Sequence, residues 1–126
     1  MKQILTRFIL FSTFSSATTI HIPSDYSTIQ EGIDVSLDGD TVLIEQGTYY
    51  ENLILGKEIV LASHALYDDL GSDWLANENI NNTMISGDHN GSWLIIRDGN
   101  IEPTVLGLTF QAVSYTHLTL PTICSV

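Results

Sequence analysis

Apolar positions follow two different spacings along the chain, and the change between them falls near residue 40. Residues 25–40, DYSTIQEGIDVSLDGD, place Ile29 and Ile33 one turn apart on one helical face. Val35 and Leu37 extend that apolar side until Asp38, Gly39 and Asp40 stop it. Ser27-Thr28-Ile29-Gln30 reads as a capping box, in which the Ser27 hydroxyl accepts from the Gln30 amide and the Gln30 side chain reaches back to the Ser27 amide. From residue 41 the spacing becomes two. Runs at 41–45, 49–55 and 59–62, and again at 83–87, 93–97 and 105–110, are short, β-rich and bounded by turn residues. Alternation within them predicts an inward set of Val42, Ile44, Leu53, Leu55, Ile59, Leu61, Ile85, Leu94, Ile96, Leu106 and Leu108.

Short strands separated by tight corners suit a stacked coil better than a hairpin sandwich. Ile85 and Leu108 lie roughly one coil apart, at about 20 to 25 residues per coil. One coil cannot bury its own inward side chains, so each neighbour must cover them. The predicted fold class is therefore all-β, a parallel β-helix (solenoid) with an N-terminal capping α-helix, truncated after the first few coils. Residues 64–82, HALYDDLGSDWLANENINN, depart from a minimal coil and read as a surface insertion with a short helical piece around Trp74 and Leu75.

Four motifs carry a family resemblance: DY-x-TIQ-x-x-ID from residue 25, DGDTVLI from 38, GTYYEN from 47 and TMISG from 83. Through them, residues 18–111 resemble the right-handed parallel β-helix proteins of the pectin lyase-like superfamily. The resemblance implies a right-handed solenoid. It does not imply an activity, because the same opening serves pectinesterase-like enzymes and exported repeat proteins without an assigned reaction. The catalytic carboxylates, glutamine and arginine of pectinesterases belong to coils beyond those represented here. No catalytic or cofactor-binding residue is therefore carried over.

The two ends of the chain read differently from its middle. Residues 1–17 place Lys2 and Arg7 before or at the start of the apolar run Phe8-Ile9-Leu10-Phe11, and small residues follow up to Ser15-Ser16-Ala17. That is the order of a secretory signal peptide cleaved before Thr18. The apolar run is too short to span a bilayer. Residues 18–112 form the expected cap and first coils. Within 113–126, the segment VSYTHLTLPT from Val113 to Thr122 resembles the translation of a transposon-based sequencing adapter. That tail is expected to be read-through and not selected protein; the competing reading is a genuine amphipathic strand over 115–120.

Charge narrows the partners. The chain of 126 residues has a formal net charge of −11. Beyond residue 17 only Lys57 and Arg97 remain against fifteen acidic residues, which makes −13. Nucleic acids and anionic membranes need clustered Lys and Arg, so neither is an expected partner. A polyuronate would be repelled unless calcium bridged it. The single cysteine, Cys124, lies in the suspect tail, so no disulfide framework is available.

Few residues invite chemistry. Asp68, Asp69 and Asp73 could donate oxygens to calcium, the one metal or cofactor considered, but their spacing does not fit the twelve-residue loop pattern, and a solvated acidic loop is the competing reading. Asp38 and Asp40 could form an acid and base pair; beside Gly39 they are expected to make turn hydrogen bonds instead. His21, His64 and His89 lie on different elements without ligand spacing, and His117 lies in the tail. Tyr49, Tyr50, Trp74 and Trp93 could stack on sugar rings, but packing is the favoured account, with one tyrosine of the pair inward and one outward. Asn81-Asn82-Thr83 and Asn90-Gly91-Ser92 match the glycosylation pattern.

These features lead to the N-terminal part of a secreted or cell-surface binding or structural protein, monomeric at full length, without catalysis in this stretch. Its expected partner is a polysaccharide or a cell-surface component, with no stable membrane insertion. The alternative is the opening of a carbohydrate-active enzyme, a pectinesterase or polysaccharide lyase, whose catalytic coils lie outside it.

Overall fold

The computed structural model of the chain describes residues 16–71, 73–87 and 92–111, together with the backbone of Thr119–Ser125. The first strand, β1 (Thr19–Ile22), leads into helix α1 (Ile29–Val35) and strand β2 (Thr41–Ile44). Strands β3 (Gly47–Tyr50), β4 (Leu53–Leu55) and β5 (Val60–Ser63) follow. Two 3-10 turns, His64–Tyr67 and Trp74–Ala76, precede helix α2 (Glu78–Asn82). Strands β6 (Thr83–Ser86), β7 (Leu94–Ile96), β8 (Thr104–Gln111) and β9 (Thr119–Ser125) complete the described elements.

The described residues form a small α/β domain, a mostly parallel sheet with two helices, which corrects the expected all-β solenoid. Six strands join in the order β1-β2-β5-β8-β6-β3, with β9 antiparallel on β8 and a separate parallel pair of β4 and β7. Two findings overturn the coil reading. Stacked coils advance by a constant step, whereas Thr19 pairs with Thr41, Thr41 with Val60 and Val60 with Thr104, so no fixed repeat length links the neighbours. The eight-residue β8 also takes β5 along its first half and β6 along its second, merging them into one sheet. Parallel neighbours need a crossover, and α1 supplies it between β1 and β2. The expected truncation after a few coils falls with the coils.

Alternation nevertheless located most of the core. Val42, Ile44, Leu53, Leu55, Ile59, Leu61, Ile85 and Leu108 are buried in one cluster, with Leu94 and Ile96 half-buried against it. Leu106 is the exception. Gly107 has φ +70° there, and the register between β8 and β9 shifts between Leu106 and Leu108, so Val105 and Leu108 both turn inward and Leu106 is left half-buried. The run at 49–55 divides at Glu51 and Asn52 into β3 and β4, which pair with β6 and β7 respectively.

Helix α1 buries Ile29, Gly32 and Ile33, while Val35 and Leu37 are 47 % and 68 % exposed and extend no apolar face. It seats closely on β1 and β2: a Cβ at Gly32 would stand 2.8 Å from Ile22 Cδ1 and 3.3 Å from Val42 Cγ1, so those side chains would have to shift to admit one. Sequence alternation in Thr19-Ile20-His21-Ile22 could have revealed β1, which buries Ile20 and Ile22. The 64–82 stretch is more than a surface insertion. Ala65 and Ile80 are fully buried, and Thr109 of β8 donates its hydroxyl to the Ile80 carbonyl at 2.7 Å.

Candidate functional site

Side chains from further along the chain hold both ends of α1. Its first amides, which have no partner inside a helix, donate from Ile29 and Gln30 to the two carboxylate oxygens of Glu51 at 2.9 and 3.0 Å. Thr28 caps the helix, its hydroxyl accepting from the Glu31 amide at 3.2 Å. Ser27 is not the cap; its hydroxyl meets the Glu31 carboxylate at 3.3 Å. Gln30 does not reach back to Ser27 either. Its side chain spans to β4, accepting from the Ile54 amide and donating to the Ile54 carbonyl.

The other end of α1 is closed by a cation. Lys57 Nζ donates to the carbonyls of Ile33, Asp34 and Ser36 at 2.9, 2.6 and 2.6 Å, sharing the Ile33 carbonyl with the Ser36 amide and hydroxyl. Asp40 then ties the exit turn to the start of β1. Its buried carboxylate accepts from the Leu37 amide and the Thr18 amide, each at 2.9 Å. Those amides, Leu37 first and Thr18 second, hold the carboxyl below its ordinary range, helped by the charge of Lys57 and opposed by burial. Asp38 accepts from the Glu58 amide at 3.0 Å. Asp38 and Asp40 thus serve backbone groups, as expected, and not as an acid and base pair.

The calcium candidates point to separate tasks. Asp68 accepts from Asn77 and Asn79 at 2.9 and 2.8 Å, and those two hydrogen bonds, in that order, lower its carboxyl. Asp69 closes a turn on the Gly71 amide. Asp73 precedes the second 3-10 turn without capping it through its side chain. Among the described residues, no three of His, Cys, Asp and Glu are grouped so as to hold a metal ion.

The aromatic candidates are likewise dispersed. Tyr49 packs on the core and donates its hydroxyl to the Glu45 carbonyl at 2.8 Å, and its phenol is raised by burial first and then by Glu45 and Glu51. Tyr50 is 74 % exposed. Trp74 is half-buried in its 3-10 turn. Trp93 packs against Phe110, with ring centroids 6.3 Å apart, and with Ser92, Leu94 and Phe110 it lines an open hollow of about 440 Å³.

His64 tilts against Tyr67 at 6.4 Å, His21 is half-buried on β1, and His89 and His117 lie outside the described residues. Asn81 spends its amide on the Leu75 carbonyl, and Thr83 of its glycosylation pattern is fully buried; Asn90 lies outside the described residues. Residues 1–15 of the expected leader, residue 112, and 113–118 and 126 of the tail lie outside them as well. No helix of the described residues is long and apolar enough to cross a membrane.

The residues that matter most to this geometry, Glu51 and Lys57, were not singled out by sequence. Each sits more than twenty positions from the backbone it holds. The only signal available was compositional, since Lys57 is the sole lysine beyond the leader.

No protein-family model, curated protein or solved structure matches this chain. The resemblance to the pectin lyase-like superfamily therefore rests on its four motifs alone.

Proposed function

We propose that the chain is a binding or structural module of an exported protein, without a reaction of its own. One observation carries this reading: the four charged groups gathered at the ends of α1 and the turn after it are spent on backbone. Asp38, Asp40, Glu51 and Lys57 together hold the ends of α1 and the turn after it. A catalytic carboxylate or amine has to present its lone pair or proton to a substrate, and these are turned into the fold. The basic and apolar order of residues 1–17 supports export. The acidic balance of residues 18–126 favours a neutral or cationic surface component over a polyanion.

The test is to express the full chain in a bacterial host with an intact export pathway and to assay the purified product on pectin. The chain should be recovered outside the cytoplasm and should release neither methanol nor unsaturated oligosaccharide above a blank. Retention in the cytoplasm with the leader intact would overturn the export reading, and turnover of pectin the non-catalytic one.

A further inference from the structure

We infer that export processing at the Ala17–Thr18 bond creates a ligand for the fold itself: the new α-ammonium of Thr18, which the buried Asp40 carboxylate binds as an ion pair. The inference rests on the export reading above and deepens it. Ser16, Ala17 and Thr18 are exposed and outside any regular element, so the bond is open to a peptidase. One residue further on, the chain enters β1 and its register is fixed, with Thr18 accepting from the Thr41 amide at 2.9 Å. Nitrogen and carboxylate are already in place, because Thr18 N stands 2.9 Å from Asp40 Oδ1 while Oδ2 is held by Leu37. Asp40 is only 6 % exposed.

Hydrolysis consumes one water, leaves a carboxylate on Ala17 and leaves a protonated amine on Thr18. Before the cut, Asp40 receives one neutral N–H there. Afterwards it receives an N⁺–H from the same atom, and a charge-assisted hydrogen bond is roughly twice as strong as a neutral one. The position of Thr18 N does not have to change. Around the pair stand Lys57, whose charge also favours the Asp40 carboxylate, and Asp38 and Glu58, whose segments are joined by the hydrogen bonds of the exit turn. Lys57 Nζ is itself held by three carbonyls of α1 and its exit. The leader would thus be removed at a bond whose new end already has a receptor.

An α-amine unpaired in an unfolded chain titrates at about 7.7 to 8.0. Bound to Asp40, its folded value is higher, so the stabilisation it adds is full below the unfolded value and is lost as pH rises through the folded one.

The experiment begins with N-terminal sequencing of the full chain exported and processed by the host, which should read Thr18. The processed protein is then pulsed at about pH 7.5 with an acetylating reagent, N-hydroxysuccinimidyl acetate. Peptide mapping separates Thr18 from Lys57, the other primary amine of residues 18–126. The Thr18 amine should react about tenfold more slowly in the folded protein than in urea, the factor expected of one unit of pKa. Asp40→Asn should remove that protection. If Asp40→Asn does not fold, the comparison of folded with urea-unfolded parent decides alone. Cleavage at another bond would overturn the processing step and leave the fold untouched. Equal reactivity of the Thr18 amine in folded and unfolded parent would overturn the capture, even with cleavage at the expected bond.

Discussion

Helices α1 and α2 each lead into a strand of the same sheet, yet they are held in opposite ways. Helix α1 is held at both ends by side chains from far along the chain, Glu51 at its start and Lys57 at its end, and its own Gln30 reaches across to β4. Helix α2 is held from close by. Asn77 caps it by accepting from the Ile80 amide at 3.0 Å, and Asp68 gathers Asn77 and Asn79. Its long-range anchoring comes from β8, through the Thr109 hydroxyl and the tight approach at Gly107. Distant charges satisfy the backbone around α1, where only Asp40 and Ser36 are buried polar residues, both hydrogen-bonded. Next to α2, by contrast, Thr83 Oγ1 is buried with no hydrogen-bond partner. Long-range clamps fix a corner; local caps leave its junction to steric fit.

The largest test strikes that fit. A Cβ at Gly107 would lie 2.7 Å from both Ala65 Cβ and Ser63 Oγ, in a backbone with φ +70°. Gly107→Ala should destabilise the domain by about 4 kcal/mol, combining overpacking with left-handed strain. Urea unfolding gives the number. Protection of α2 amides in hydrogen exchange should fall before that of α1, and simultaneous loss at both helices would erase the distinction between the two corners.

Charge removal is the next step down. Asp40→Ala deletes the acceptor of two backbone amides in a buried site and should cost about 3 kcal/mol. The loss depends on pH with a definite sign. Because the folded carboxyl lies below its ordinary value, the stabilisation is present above the unfolded pKa of about 3.9 and disappears as pH falls through the lower folded one. The gap in unfolding midpoint between parent and Asp40→Asn should therefore close in acid; a gap that stays constant from neutrality to about pH 2 would remove Asp40 from the acid limb. Glu51→Ala, which frees two helix amides at a half-exposed site, should cost about 1.5 kcal/mol.

These residues mark where sequence was legible and where it was not. Strand positions and inward faces followed from alternation alone, because one buried face imposes it whatever the strands pair with. For the same reason alternation could not distinguish a constant-step stack from one parallel sheet with helical crossovers. That distinction lies in which strands pair, and β8 pairs both β5 and β6. Leu106 was misplaced because a glycine at positive φ breaks the count, and no periodicity reports φ. At the candidate site, the turn roles of Asp38 and Asp40 were readable from their neighbour Gly39. The roles of Glu51 and Lys57 were not, because a capping rule looks three residues ahead and these partners are more than twenty away. Backbone strand β9 adds one lesson about the tail. An extended edge accepts any β-competent partner, so its pairing with β8 accommodates read-through as readily as a selected strand.

Replacing the orphaned hydroxyl tests the α2 side with the opposite sign. Thr83→Val keeps the shape and removes an unpaired buried polar atom, so it should stabilise by about 1 kcal/mol. A destabilised variant would mean that the hydroxyl is hydrogen-bonded in solution and that both corners are polar-satisfied after all.

The smallest effect separates two adjacent residues of the first cap. Sequence placed the cap at Ser27, which predicts about 1 kcal/mol for its loss. The structure places it at Thr28, whose hydroxyl accepts from the Glu31 amide, and leaves Ser27 exposed with a single contact to a solvated carboxylate. Exposed polar contacts of that kind contribute within about 0.5 kcal/mol. Ser27→Ala should therefore be nearly silent in urea unfolding, while Thr28→Ala should lose about 1 kcal/mol. Because Glu51 already accepts from the two amides before Glu31, Thr28→Ala in a Glu51→Ala background should cost more than it does alone, as neighbouring caps on one helix end are not independent. Additive losses would show that the local cap and the distant clamp act separately, and would weaken the case that α1 is held chiefly by residues far away in the chain.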